Sequence, residues 1–157
     1  QGSGGGAFAP GVQIAAAQGF AAAGLVSLDY NRDGNLDLAV VDNSTPGQVL
    51  LLRGTGSGNF RSAGLFDTGL SLPTDIEAGD FNNDGYTDLV VSSGSTGRST
   101  GGIAVLLNDE GTTFRDGIQT TVQSEVPVVS LAVGDLNSDG LLDVVAGTVS
   151  ASGSSNV

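Results

Sequence analysis

The chain has 157 residues, enough for one domain with a core, and carries 26 glycines, only 5% aromatic residues and a formal net charge of −12. All five cations are arginine, scattered at Arg32, Arg53, Arg61, Arg98 and Arg115, too sparse to neutralise a phosphate backbone or an anionic membrane surface, so nucleic acid is not expected as a partner. With no Cys, His or Lys the chain lacks a disulfide framework, a thiolate metal site and the usual general bases and nucleophiles, so no enzyme is expected; no run approaches the roughly 18 apolar residues of a membrane-spanning helix, so no membrane insertion is expected either.

In chain order, residues 1–53 read as a first repeat. A glycine turn at residues 2–6 leads to Phe8 and a strand; residues 15–23 are the most helix-like passage, but Gly19 and Gly24 break it, and its register makes it the turn before the next strand. Residues 25–28 and 38–41 read as short strands on either side of an Asp/Asn/Gly loop. Residues 42–48 form a variable loop with the glycosylation sequon Asn43-Ser44-Thr45, and residues 49–52 an apolar strand. The second repeat, 54–107, has the same order: a glycine turn, Phe60, strands at 75–78 and 89–92 around a second loop, a serine-rich loop at 92–102 and an apolar strand at 103–107. The third, 108–157, runs through Gly111, Phe114, residues 128–133, a third loop and residues 144–147, and lacks the last strand.

The three loops share one pattern, Asp-x-Asn-x-Asp-Gly-x-x-Asp, and begin 51 and 55 residues apart, a period typical of blades or solenoids. Their first, third, fifth and ninth positions are Asp29, Asn31, Asp33 and Asp37; Asp80, Asn82, Asp84 and Asp88; and Asp135, Asn137, Asp139 and Asp143. Ca²⁺ takes six to eight oxygens at roughly 2.3–2.6 Å, and a short loop supplies them from alternate residues. The seventh positions, Asn35, Tyr86 and Leu141, differ in side chain, as expected if each contributes only its backbone carbonyl. Gly34, Gly85 and Gly140 stand where a loop wrapped around an ion turns sharply. Three carboxylates converging in each loop would repel one another without a cation, and about three Ca²⁺, one per repeat, would bring the charge from −12 to −6. An EF-hand needs a Glu at its twelfth position and flanking helices; here the twelfth positions are Val40, Val91 and Ala146, inside strands. The other acids, Asp42, Asp67, Asp75, Glu77, Asp109, Glu110, Asp116 and Glu125, show no repeated spacing and read as solvated surface charge.

Phe8, Phe60 and Phe114 stand 21, 20 and 21 residues ahead of Asp29, Asp80 and Asp135, each after a glycine-containing turn. With these landmarks the chain resembles the FG-GAP repeat proteins, including the bacterial VCBS repeats and the propeller of integrin alpha subunits. Ala7-Phe8-Ala9-Pro10-Gly11 is the nearest approach to the Phe-Gly and Gly-Ala-Pro signatures. The resemblance implies an all-β fold of β-propeller-type blades with four antiparallel strands, here about three repeats in a partial propeller or open stack. It also implies an extracellular, bacterial-type module, secreted or at the cell surface, that acts as a binding or adhesion scaffold for a protein or glycan ligand, or for copies of itself. Alternatives are a structural subunit of an extracellular filament or matrix, and an accessory domain of a secreted carbohydrate-active enzyme. The segments at 42–48 and 92–102, which differ in length between repeats, are the candidate ligand-contacting loops.

Overall fold

The computed structural model describes residues 11, 13–14, 17, 19–94, 102–115, 118–121, 127–149 and 155–156. Three antiparallel sheets follow one another along the chain. The first comprises β1 (Ala22–Leu28), β2 (Asp37–Asp42), β3 (Gln48–Gly54) and β4 (Phe60–Asp67), hydrogen-bonded in that order. The second runs from β5 (Pro73–Gly79) through β6 (Asp88–Ser93) and β7 (Gly102–Leu106); a small hairpin of β8 (Asn108–Asp109) and β9 (Thr113–Phe114) then leads to its fourth strand, β10 (Ile118–Thr121). The third pairs β11 (Val128–Gly134), β12 (Asp143–Val149) and β13 (Ser155–Asn156). Among the described residues there is no helix and no closed barrel, and the sheets form a partial propeller or open stack.

The continuous apolar runs at 38–41 and 89–91 arise because these strands are covered on both faces, and successive side chains point to opposite sides. Ala39 and Val41 of β2, with Val49 and Leu51 of β3, pack against Ile76, Leu89, Val91, Ala104 and Leu106 of the second sheet. Their neighbours Val40, Leu50 and Leu52 face the other way, toward Ile14, Ala17 and Phe20, which cover the outer side of the first sheet. Between the second and third sheets Val90, Ile103 and Val105 meet Val128, Leu131, Val144 and Ala146. Truncating a fully buried side chain such as Leu51 to Ala costs about 2–5 kcal/mol by lost transfer energy and cavity formation.

The first strand of each sheet carries the same irregularity, a register shift between Ala22 and Gly24, Pro73 and Asp75, and Val128 and Ser130. At Gly24 the backbones of β1 and β5 approach so closely that a Cβ would lie 3.3 Å from the Asp75 Cα.

The sheets keep the period read from the sequence but are offset from it by one strand. Phe60–Asp67, which opens the second repeat when the chain is cut after residue 53, is hydrogen-bonded to β3 of the first sheet, because the glycine turn at 55–59 closes a hairpin. Phe114 stands in the short β9 and is buried beside Tyr30 and Phe66, whereas Phe8 lies outside the described residues. The third repeat, read as missing its last strand, has β13 paired to Thr148 and Val149. Backbone pairing needs no apolar side chain, so the serine-rich sequence at 150–155 does not announce this strand. In the helix-like passage 15–23, the described residues make single-turn bonds from Ala17 N–H to Ile14 O and from Phe20 N–H to Ala17 O.

Candidate metal centre

Each Asp/Asn/Gly loop joins the first two strands of its sheet and repeats one backbone conformation. The fourth positions, Arg32, Asn83 and Ser138, have φ of 57°, 60° and 63°, and the sixth, Gly34, Gly85 and Gly140, have φ of 82°, 88° and 87°. Two left-handed residues so close together coil the chain tightly; glycine takes up one at no steric cost, while the other is strained.

The side chains then hold this coil. Asp29 accepts from Asp33 N–H through Oδ1 (3.0 Å) and from Gly34 N–H through Oδ2 (2.9 Å). Asp80 does the same for Asp84 and Gly85, and Asp135 for Asp139 and Gly140. The third-position Asn31, Asn82 and Asn137 each accept from the fifth-position N–H and donate their amide to the fifth-position carboxylate. Asp33, Asp84 and Asp139 in turn accept from the seventh-position N–H of Asn35, Tyr86 and Leu141.

The ninth-position acids are turned elsewhere. Asp37 is fully buried, accepting from Tyr30 N–H at 3.2 Å and from Gly54 N–H, across the sheet in β3, at 2.7 Å. Asp88 is bound by Phe81 and Asn108, and Asp143 accepts from Leu136 N–H. Burial holds the Asp37 and Asp88 carboxyls above their ordinary value, against the opposing pull of those N–H donors. The expected convergence of three carboxylates is therefore not found: among the described residues no three Asp, Glu, His or Cys side chains gather into one cluster. In the first two loops the ninth acid also ties the loop to the strand or hairpin beside it, through Gly54 N–H and Asn108 N–H.

The loops fit a hard divalent cation by the chemistry of their donors. Each brings Asp, Asn and carbonyl oxygens together at a solvent-facing turn, with no nitrogen or sulfur ligand, the set that suits Ca²⁺ over softer metals. The carboxylate oxygens of Asp29 and Asp80 each accept one backbone N–H and keep a second lone pair for an ion.

The structure also adds residues that the repeated motif does not announce. Asn108, 3% exposed, donates its amide to Tyr30 O in the first loop (2.8 Å) and to Thr87 O at the end of the second (3.0 Å), while its Oδ1 accepts from Gly111 N–H. Arg32 of the first loop lies over the Tyr86 ring of the second at 5.2 Å. The first two loops are thus tied through one amide and one cation–π contact. Arg53 donates to Asp33 at 2.7 Å and holds its carboxyl down to about 2. A signal that could have pointed to Asn108 is its place directly after a buried apolar strand, the position Gly54 fills in the first sheet.

Asp75, read as surface charge, accepts from Leu131 N–H at 2.8 Å and so joins the second sheet to the third. At the opposite end of the sheets, residues 42–48 are pinned rather than free. Gly47 exchanges bonds with Leu70 and Thr68, Ser44 O accepts from Leu72 N–H, and the Asn43 amide, on which a glycan would be built, donates to Pro73 O. Most of the other candidate loop, 95–101, lies outside the described residues.

Stacked antiparallel sheets, each with the same coiled loop between its first two strands, define a β-propeller-type repeat protein. Residues 29–91, which span the first two loops, match the family model of the FG-GAP-like repeat, a match that supports an FG-GAP-type repeat protein. A comparison with curated proteins gave no match. Repeats of this family are generally non-catalytic scaffolds and typically extracellular. Among the described residues no helix is long and apolar enough to cross a membrane.

Proposed function

We propose that the chain is a calcium-stabilised scaffold of an extracellular binding or adhesion protein, with a protein or glycan ligand held by loops on its blades. The observation that supports it best is the threefold recurrence of one loop conformation, with left-handed backbone at the fourth and sixth positions and the same side-chain web. Three sets of residues would hold the ions: Asp29, Asn31, Asp33, the Asn35 carbonyl and Asp37; Asp80, Asn82, Asp84, the Tyr86 carbonyl and Asp88; and Asp135, Asn137, Asp139, the Leu141 carbonyl and Asp143. A bound Ca²⁺ would supply charge neutralisation and an electrostatic tie between the two strands that each loop joins. The protein's own part is to present these oxygens pre-coiled and to fix the loops through Asp37, Asp88 and Asn108. Thermal unfolding and limited proteolysis with Ca²⁺ and with EDTA test the reading; a melting curve that calcium leaves unchanged would sink it.

A further inference from the structure

The first loop treats its fifth-position carboxylate differently from the other two. Asp33 Oδ2 accepts from Arg53 Nη2 at 2.7 Å and Nε at 3.3 Å in addition to the Asn31 amide, and its Oδ1 accepts from both the backbone N–H and the side-chain amide of Asn35. Asp84 and Asp139 show only bonds internal to their loops. Among the described residues no cation forms an ion pair with either of them.

The difference comes from one residue of the sheet. Gly54 and Asn108 are equivalent, since each gives its backbone N–H to the ninth-position acid of its own sheet. The residue before each is Arg53 in the first sheet and the uncharged Leu107 in the second. Arg53 is also directed toward the loop, because Arg61 stands directly opposite it in β4, and like charges facing across a strand pair repel. Both arginines line a cleft of about 320 Å³ shared with Asp33 and Asn35.

We propose that Arg53 is a tethered counter-cation of the first loop, competing with calcium for Asp33, so that this loop is the weakest of the three calcium sites and the last to fill. The inference rests on the calcium reading above. An ion entering the first loop must displace the guanidinium from Asp33 or share the carboxylate with it, and it meets a neighbouring positive charge in either case. In the second loop Arg32 lies over the Tyr86 ring and Arg115 acts on Asp84 from a distance, but neither is bonded to a carboxylate that the ion would take, and Asp139 of the third loop is likewise bonded only within its loop. At a largely solvated position this competition corresponds to about a three- to tenfold difference in affinity.

Calcium titration of the full chain by isothermal calorimetry tests it. The wild type is expected to bind three ions in two phases, two tighter and one weaker, and Asp29→Ala to abolish the weaker phase. Arg53→Gln is expected to tighten that phase about three- to tenfold while leaving the others in place, whereas Arg53→Lys, which keeps the charge, preserves it. Because the Arg53 side chain is 53% exposed, the variants leave the core intact, which melting in EDTA verifies. Unchanged affinities in Arg53→Gln, a weak phase that survives Asp29→Ala, or three ions of one affinity in the wild type overturn the inference alone. A wild-type chain that takes up no calcium overturns the underlying reading and this inference with it.

Discussion

Asn108→Ala is the substitution whose cost follows most directly from the structure. Its side chain is 3% exposed and makes three hydrogen bonds, to Tyr30 O at 2.8 Å, to Thr87 O at 3.0 Å and from Gly111 N–H at 2.8 Å. Each is worth about 1 kcal/mol net, and groups left buried without a partner cost more. The expected loss is therefore about 3 kcal/mol, roughly a hundredfold in the folding equilibrium. For a chain of this size that lowers the melting temperature by about 6–12 °C. Urea unfolding in EDTA, where ion binding cannot mask the change, is the appropriate assay. Asn108→Asp keeps the acceptor for Gly111 but turns a carboxylate toward two carbonyls, and is expected to lose at least as much. Thr112→Ala, on the same hairpin but exposed, is expected to stay within about 0.5 kcal/mol of the parent. A loss below about 1 kcal/mol for Asn108→Ala would refute the idea that this amide holds the two loops together.

Three further outcomes are expected. Asp29→Ala, Asp80→Ala and Asp135→Ala should each remove one bound calcium ion, read by calorimetry or by metal analysis after dialysis; retention of every ion in all three variants counts against the ligand assignment. Asp37→Asn should destabilise the chain by about 1–3 kcal/mol in chemical denaturation, because one oxygen cannot accept from both Tyr30 and Gly54 and the new amide faces an N–H donor. The pH dependence has two opposing parts. Burial raises Asp37 and Asp88 above 3.8 in the folded state, so the stability they contribute is complete below 3.8 and is lost as pH rises through their folded values. Asp33, held at about 2 by Arg53, contributes stability that is present above 3.8 and lost as pH falls toward 2. In EDTA, the Asp37→Asn, Asp88→Asn pair should remove the first component and Arg53→Gln the second, as seen in urea midpoints across this range.

Much of the fold was legible because its signals are local. The apolar runs at 38–41, 49–52, 89–92 and 103–107 announced strands, and β2, β3, β6 and β7 lie there. The loop pattern placed a turn between two strands three times, and Gly34, Gly85 and Gly140 adopt the positive φ their position demanded. The left-handed conformation at Arg32, Asn83 and Ser138 was not legible, since none of these side chains requires it. Nor was it legible that the ninth-position acids Asp37 and Asp88 also accept the backbone N–H groups of Gly54 and Asn108.

The sequence by itself determined the period, the all-β character and the chemistry of the loops, because strand preference, a glycine turn and an alternation of oxygen-bearing side chains belong to a few consecutive residues. Only the tertiary structure decided which strands share a sheet, that Asp75 bonds a backbone 56 residues away, that Asn108 reaches a loop 78 residues back, and that Arg53 finds Asp33 across 20 residues. Those contacts depend on how sheets stack and which hairpin closes over which loop. A repeat fixes what each unit contains, but the packing of one unit on the next fixes where its charged and amide groups finish.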